Sequence, residues 1–411
     1  MRSISIYVHV PMCVKKCAYC DFTSFSGRLG ERDAYTDAVC REVRAQAAFF
    51  GARRVNTVFF GGGTPTLMTG AQIRRIMDTL RACFDLASDA EITMEGNPGT
   101  LSAENLAAYR EAGVNRLSLG VQSADDGLLR AIGRIHTFAQ VQQSVTAARK
   151  AGFRNISMDL IYGLPGQTMQ QWEDTLSAVI ALAPEHISCY GLRLEEGTPM
   201  YDEYEGTDIL PSDDDQADMY LYAVDFLSRH GFRQYEISNF ARPGYESRHN
   251  LKYWRLDDYI GFGAAAASNI GLLRYTYTHN VREYISGVLG DKGIIAEEEE
   301  LTPFDRASEY LMLGMRTAAG ISREEYRSVY QSSFDKLEEM LEVFQENGWA
   351  VCDNGRWHFT PGGFLVSNVL IGVLLESQTK EKFNANPWIR EAFEAKGQKV
   401  PLPTASEPYM N

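Results

Sequence analysis

Six short apolar segments recur along the first half of the chain, each bounded by glycine, proline or polar residues. Buried parallel strands have this composition because both of their faces are covered. Amphipathic segments lie between them, which predicts βα units and a parallel sheet. The predicted strands are Ile4–Val10, Val55–Phe60, Glu91–Glu95, Arg116–Val121, Asn155–Leu160 and His186–Leu192, and the predicted helices are Asp33–Phe50, Ala71–Phe84, Ser102–Ala112, Phe138–Ala151 and Met169–Leu182.

Six units are too few for a closed eight-stranded barrel, so the pattern predicts an α/β fold with a partial (βα)6 barrel over residues 1–205. In such folds, functional residues lie on the loops after the carboxyl ends of the strands. Polar and glycine-rich motifs follow the strands here as well. They are the cysteines after the first strand, then Gly61–Pro65, Glu95, Gln122, Asp159 with Gly163–Gly166, and Tyr190 with Gly191.

The pattern changes after residue 205. Residues 206–300 are predicted to extend the barrel, and the acidic run Glu297–Glu300 is predicted to be a linker. Residues 301–376 predict a mostly helical, winged-helix-like domain, with a hairpin around Asn354 and Gly355. Residues 302–376 carry six Lys and Arg against eleven Asp and Glu, a net charge of -5, which argues against DNA binding. Residues 377–411 are polar and proline-rich, which predicts a loosely held tail.

Charge and cysteine usage narrow the class of protein. The 411-residue chain has a net charge of -14, which disfavours a general role in binding nucleic acid. Its amino terminus has no apolar signal-peptide run, and no segment approaches the roughly 20 apolar residues of a membrane span. Three of the seven cysteines lie within eight positions. Such clustering predicts a metal site in a reduced compartment, and we expect a cytoplasmic protein.

The clustered residues are Cys13, Cys17 and Cys20, on the loop after the first strand. Three thiolates can hold a four-iron, four-sulfur cluster and leave one iron open to a non-protein ligand. Zinc with His9 as fourth ligand is the alternative, although the spacing differs from the paired C-x-x-C of structural zinc sites. The remaining cysteines are expected to fill the core; they are Cys40, Cys83, Cys189 and Cys352.

The C-x-x-x-C-x-x-C motif on the first loop of a partial barrel, with Tyr19 before its third cysteine, resembles radical SAM proteins. The resemblance is close over residues 1–290 and continues into the C-terminal domain. Within that superfamily the chain is similar to the coproporphyrinogen-dehydrogenase-like group. The motifs that carry the similarity are Tyr7–Cys13, Gly61–Pro65, Leu119–Ser123 and Asp159–Gln167.

The resemblance implies that the open iron chelates S-adenosylmethionine (SAM), whose carbon–sulfur bond is cleaved with an electron from the cluster. Glycines let a backbone approach a ligand closely, and an arginine suits the SAM carboxylate. The positions that match SAM contacts in the family are Tyr7, Tyr19, Gly62, Gly63, Thr64, Glu95, Gln122, Arg134, Asp159 and Gly191.

Two branches of the group compete. One is the oxygen-independent coproporphyrinogen III dehydrogenase, an oxidative decarboxylase of heme biosynthesis, and the other is the HemW-type heme chaperones. The dehydrogenase has an extension before its first strand and a further cysteine where this chain has Phe22. Residues 249–254 read His-Asn-Leu-Lys-Tyr-Trp, similar to a chaperone motif. A neutral imidazole is a good axial ligand for heme iron, so His249 is the predicted heme ligand.

The resemblance therefore implies a heme chaperone with a cluster, SAM and heme as cofactors. Its implied partners are heme-acceptor proteins and an electron donor. Membrane-bound respiratory proteins are candidate acceptors, and a homodimer is a candidate assembly. The sequence leaves open whether SAM is cleaved in function, and thus whether the protein is an enzyme. The dehydrogenase and a non-catalytic iron–sulfur sensor are the alternatives.

Overall fold

The computed structural model describes residues 3–50 and 53–385. Six parallel strands of one sheet follow each other in space as they do along the chain, with helices between them. The strands are β1 (Ile4–Val10), β2 (Arg54–Gly62), β3 (Asp85–Gly96), β4 (Arg116–Gln122), β5 (Ile156–Tyr162) and β6 (His186–Gly191), and the helices are α1 (Arg32–Phe50), α2 (Gly70–Cys83), α3 (Ala103–Ala112), α4 (Asp126–Ala131), α5 (Phe138–Lys150) and α6 (Met169–Ile180).

The sheet continues beyond both edges of these six strands. A further strand pairs parallel to β1, with Ser5 opposite Tyr259, and antiparallel strands follow it. At the other edge, an antiparallel strand pairs with β6. The added strands of three or more residues are β7 (Asn239–Ala241) beside β6, then β8 (Tyr259–Phe262), β9 (Ala267–Ile270), β10 (Leu273–Tyr277) and β11 (Ile295–Glu300) beside β1.

The prediction that Glu297–Glu300 form a linker is wrong. These residues form the end of β11, which pairs antiparallel with β10 along its backbone. Every residue of β11 is exposed. The strand therefore depends on backbone hydrogen bonds and not on an apolar face, which is why no hydrophobic pattern predicts it.

Side chains alternate across the sheet. Ile4, Ile6 and Val8 of β1 are fully buried in the core under the helices. The residues between them face the opposite side, where Ser5 accepts a hydrogen bond from the hydroxyl of Thr57 at 2.9 Å. This alternation follows from the period-two geometry of a strand. The apolar side chains of the sheet face the surrounding helices, and the polar side chains face the interior of the barrel, which we call the lumen.

Four further helices belong to the barrel unit. The first of them ends before residue 206, and the other three lie within residues 206–300. The barrel unit contains the described chain to residue 233 and residues 238–252 and 257–300. No helix among the described residues is both long and apolar enough to cross a membrane. The helices are α7 (Pro199–Tyr204), α8 (Asp213–Arg229), α9 (Arg248–Trp254) and α10 (Val281–Leu289).

The second unit consists mainly of the chain from Leu301. It contains three helices, then a hairpin and two further helices, of which α15 packs against α11 and α13. Its elements are α11 (Pro303–Gly314), β12 (Ile321–Ser322), α12 (Arg323–Tyr330), α13 (Asp335–Glu346), β13 (Ala350–Asp353), β14 (Arg356–Phe359), α14 (Pro361–Leu365) and α15 (Ser367–Ala385).

The tail predicted from residue 377 overlaps α15, which includes residues 377–385. Gln378 lies within α15, is 5% exposed, and donates a hydrogen bond to the hydroxyl of Tyr326 at 2.7 Å. Its carboxamide oxygen accepts a hydrogen bond from Ser308 at 2.8 Å. A polar sequence is thus packed here through its side-chain amide. Residues 386–411 lie outside the described residues.

A buried carboxyl group joins α1 to the loop after β8. Glu42 is 4% exposed, and its Oε2 accepts hydrogen bonds from the backbone amide of Gly263 at 3.1 Å and from the hydroxyl of Tyr284. Burial raises the pKa of Glu42 to about 8. The folded protein therefore keeps this proton at pH values where the unfolded chain, with a pKa near 4.5, has lost it.

A Glu42→Gln substitution tests this linkage. The stability that comes from the retained proton is present below pH 4.5 and is lost progressively as the pH rises towards 8, by up to about 5 kcal/mol. The variant lacks this titration. As the pH rises from 5 to 8, its free energy of unfolding should therefore increase relative to that of wild type. Urea denaturation across that range measures the difference. A difference independent of pH would contradict the assignment.

Candidate functional site

The cluster loop, residues 11–25, follows β1 at the carboxyl end of the sheet. Its two ends are joined by a hydrogen bond from the amide of Phe25 to the carbonyl of Pro11 at 2.8 Å. The amide of Ala18 donates to the carbonyl of Ile132 at 3.3 Å, which ties the middle of the loop to the end of α4. These bonds hold Cys13, Cys17 and Cys20 at the open end of the barrel.

Each sulfur has a distinct environment. Cys13 is buried, and its Sγ lies 3.6 Å from the hydroxyl oxygen of Thr64. The Sγ of Cys17 accepts a hydrogen bond from the guanidinium of Arg134 at 3.4 Å. Burial raises the pKa of Cys20, so a metal charge is needed there to favour the thiolate.

The donor set suits a cluster with three protein ligands, because three thiols share one short, anchored loop. Among residues 3–50 and 53–385, no three His, Cys, Asp or Glu side chains converge on a position for a single metal ion. The buried Nε of Arg134, beside Cys17, has no hydrogen-bond partner. A buried polar group usually has a hydrogen-bond partner, so this nitrogen is a candidate donor to a polar ligand bound next to the cluster loop.

The glycine run at the end of β2 allows a close backbone approach. Gly62 has φ 106°, and a Cβ there would lie 2.5 Å from the ring of His9. A Cβ on Gly63 would lie 2.7 Å from the carbonyl oxygen of Met12 in the cluster loop. The amide of Gly62 donates to Oε2 of Glu95 at 3.1 Å. Only glycine fits this contact between strand and loop.

Asn97 connects the predicted SAM residues, and the sequence analysis missed it. Its side-chain amide donates to the hydroxyl of Thr64 at 3.0 Å, and its Oδ1 accepts from Arg134 at 2.8 Å. Arg134 also donates to the carbonyl of Gly120. Asn97 follows Glu95 by two residues at the end of β3, so its position beyond a strand end was the available signal.

Three serines hold the carboxylate of Asp159, and they too were missed. Ser118, Ser157 and Ser188 donate to it at 3.0, 3.3 and 2.7 Å. They belong to three neighbouring strands and all face the lumen. Burial raises the pKa of Asp159, and burial together with the charge of Asp159 raises the pKa of Glu95 to about 8. The charge of Asp159 therefore acts on the protonation of Glu95.

The other predicted SAM residues also lie at this end of the barrel. Gln122 ends β4 with φ 66° and is 8% exposed. The hydroxyl of Tyr7 lies 2.9 Å from Nδ1 of His9. A Cβ on Gly191, the last residue of β6, would lie 3.1 Å from the hydroxyl of Tyr162. Burial raises the pKa of Tyr19, which keeps its phenol protonated beside the cluster cysteines.

The predicted heme ligand His249 lies elsewhere. It belongs to α9, under the amino-terminal ends of the strands, where the backbone amides of Arg248 and His249 donate to Glu91 at 3.1 and 3.0 Å. The imidazole is 1% exposed, and its Nδ1 lies 2.9 Å from the hydroxyl of Thr57. Burial lowers the pKa of His249 to about 3, so the ring is neutral. The structure thus separates His249 from the cluster loop and encloses it.

Comparison with known families agrees with this geometry. The model of the radical SAM superfamily matches residues 7–179, which contain the cluster loop and five of the six barrel strands. The model of the HemN C-terminal domain matches residues 301–366.

Curated relatives cover nearly the whole chain. The heme chaperone HemW of Bacillus subtilis is 38% identical over 90% of this chain and 99% of its own length. The chain belongs to the HemW family of radical SAM proteins. HemW of Escherichia coli is 34% identical, over 90% of this chain and 98% of its own length.

A solved structure relates the HemW fold to an enzyme. Coproporphyrinogen III oxidase (HemN) from Escherichia coli, a radical SAM enzyme, superimposes with a TM-score of 0.79 at 26% identity, over 91% of this chain and 90% of that one. The partial barrel and the mostly helical C-terminal region are therefore shared between the HemW family member described here and HemN.

A Cys17→Ser substitution tests the cluster. After anaerobic reconstitution, the variant should lose most of its iron, its sulfide and its broad visible absorbance, because serine is a poor ligand for iron–sulfur clusters. Cys352→Ser is the control. Cys352 was expected in the core, but that expectation is wrong, since it is exposed on β13. Full iron and sulfide content in the Cys17 variant would refute the cluster site.

Proposed function

We propose that the protein is a heme chaperone, which carries a four-iron, four-sulfur cluster on Cys13, Cys17 and Cys20, binds SAM beside it, and passes heme to acceptor proteins. The observation that carries the proposal is the hydrogen-bonded group formed by Thr64, Asn97 and Arg134 next to Cys17. The names of the curated relatives support the chaperone role. The proposal includes a cytoplasmic location, an outside electron donor, and the homodimer as a candidate assembly.

The residues around the cluster loop suit the parts of SAM. The guanidinium of Arg134 can bind the SAM carboxylate through two hydrogen bonds. The backbone at Gly62 and Gly63 packs against His9 and the cluster loop, and a carbonyl group of this run would accept a hydrogen bond from the amino group of SAM bound beside the loop. The carboxyl groups of Glu95 and Asp159 can accept from the ammonium and from ribose hydroxyls. When bound, the cluster supplies the electron for reductive cleavage of SAM.

An Asn97→Ala substitution tests the SAM site. The substitution removes the side-chain amide of Asn97, so Arg134 loses one of the hydrogen bonds that orient it. The loss of a hydrogen bond to a charged group costs about 1.5 kcal/mol. SAM affinity should therefore fall about tenfold. Anaerobic equilibrium dialysis of the reconstituted protein measures it, and iron content confirms that the cluster is intact. Unchanged affinity with an intact cluster would contradict the proposed role of Asn97.

Heme binding at His249 needs a movement of α9. Glu91 accepts both amides at the start of this helix, and Lys252 forms an ion pair with Asp257 at 3.2 Å. These contacts hold the imidazole inside the lumen, where heme iron has no route to it. We therefore propose that α9 leaves the amino-terminal end of the barrel when heme binds.

The second candidate function is that of the coproporphyrinogen III dehydrogenase. The similarity to the HemN fold and the complete set of predicted SAM residues favour it. Phe22 argues against it, because it occupies the position of the further cysteine expected in that branch, and its side chain is exposed on the cluster loop. Turnover of coproporphyrinogen III separates the two functions.

An anaerobic heme titration of the reconstituted protein tests the chaperone proposal. Wild type should bind heme stoichiometrically without turnover of coproporphyrinogen III. His249→Ala should weaken heme binding at least about tenfold, since it removes an iron ligand. His230→Ala, at an exposed histidine that ends α8, is the matched control.

Two outcomes would redirect the proposal. Turnover with consumption of SAM and without specific heme binding would place the protein with the dehydrogenases. Heme binding that is equal in wild type and His249→Ala would keep the chaperone role and move the heme ligand to another residue. A protein that keeps its cluster but binds neither SAM nor heme would favour the iron–sulfur sensor.

A further inference from the structure

Four aromatic rings form a column through the barrel lumen. They are His9 and Tyr7 on β1, Phe59 on β2 and His249 on α9. Their centroids are separated by 5.9 Å between His9 and Tyr7, 6.2 Å between Tyr7 and Phe59, and 5.0 Å between Phe59 and His249. The last two pairs are stacked, with interplanar angles of 26° and 28°. The column thus runs from the carboxyl end of the barrel to its opposite end.

Hydrogen bonds fix both ends of the column. At the cluster end, Nε2 of His9 lies 2.8 Å from the carbonyl oxygen of Thr23, three residues after the last cysteine of the motif. At the other end, Nδ1 of His249 lies 2.9 Å from the hydroxyl of Thr57. The four rings therefore connect the backbone of the cluster loop at Thr23 to α9, across the interior of the sheet.

The glycines at the end of β2 make room for these rings. A Cβ on Gly61 would lie 2.8 Å from the ring of Phe59 and 3.0 Å from that of Tyr7. The corresponding atom on Gly62 would lie 2.5 Å from His9. The column therefore gives Gly61 a role that SAM binding does not require. The Cβ positions of Gly61 and Gly62 would lie within 3.0 Å of these rings, so the rings fill the space beside the end of β2. A packed set of side chains has a few discrete arrangements, so a shift of one ring is expected to shift its neighbour.

We infer that Tyr7 and Phe59 are positioning residues that couple the SAM end of the barrel to His249. This inference rests on the proposed function, in which SAM contacts Tyr7 and heme iron binds His249. A ligand that moves the Tyr7 ring changes the contact between Tyr7 and Phe59. The ring of Phe59 is in turn stacked on the imidazole of His249. SAM and heme then bind with linked affinities, and each ligand changes the affinity of the other by the same factor.

The neutral state of the column is consistent with this role. Burial lowers the pKa of His9 to about 4 and that of His249 to about 3, so neither ring is charged near pH 7. Movement of the column therefore transfers no charge through the lumen. The coupling acts through ring contacts, and a substitution that removes one ring should interrupt it.

The test compares Phe59→Leu with Phe60→Leu in the reconstituted protein. Both residues lie on β2, but Phe60 is fully buried on the helix side of the sheet, the face opposite the column. In wild type and Phe60→Leu, saturating SAM should change the heme dissociation constant at least about fivefold. In Phe59→Leu the change should fall below about twofold. Phe59→Tyr, which keeps the ring, should restore it.

Hydrogen exchange of the amides in residues 248–252 gives a second readout that needs no heme. Addition of SAM should alter their protection in wild type and in Phe60→Leu, and leave it unchanged in Phe59→Leu. Coupling of wild-type size in Phe59→Leu, or no coupling in wild type by either readout, would overturn the inference.

The two proposals can fail separately. If wild type binds SAM but not heme, the chaperone proposal fails, and the exchange experiment alone decides the inference. If wild type binds both ligands with independent affinities and exchange does not change, the chaperone proposal stands and the inference fails. If wild type does not bind SAM, the SAM site and the coupling are both overturned.

Discussion

Along β1, Ile6 and Val8 lie under the helices while Tyr7 and His9 lie in the lumen, and the chemistry of the protein depends on this division. A shift of one residue in the pairing of β1 with β2 would exchange the two sets of side chains. The apolar set then would face a polar interior, and the column of rings could not form. The buried core under the helices therefore fixes the register that the proposed SAM site needs.

Much of the barrel could be predicted because the spacing of apolar residues, and the polar residues and glycines that end a strand, can be read from a short stretch of sequence. All six strands were found within a few residues of their bounds, apart from the early start of β3 at Asp85. The candidate site followed from the rule that parallel strands present their carboxyl ends together. Glu95 could be placed at that end, since it is the next-to-last residue of β3, whereas Asp159 lies in the middle of β5.

The rest depends on partners that are distant in sequence. No local signal says that Asn97 bridges Thr64 and Arg134, because the bridge exists only once three loops meet. The enclosure of His249 depends on Thr57 and Phe59, nearly 200 positions away, and its motif therefore suggested a ligand more readily than a buried ring. β11 was missed because all of its side chains are exposed and give no apolar pattern, while its backbone pairs with β10.

The acidic strand β11 also has a consequence for how molecules of this protein meet. It is the last strand of a wide sheet, and such a strand presents backbone groups on which another chain can add. Its last four residues, Glu297–Glu300, are all exposed glutamates. A second copy that approached with the same edge would bring eight carboxylates together at neutral pH. The sheet can thus be long and open at this side without promoting aggregation, and acidification should weaken that protection.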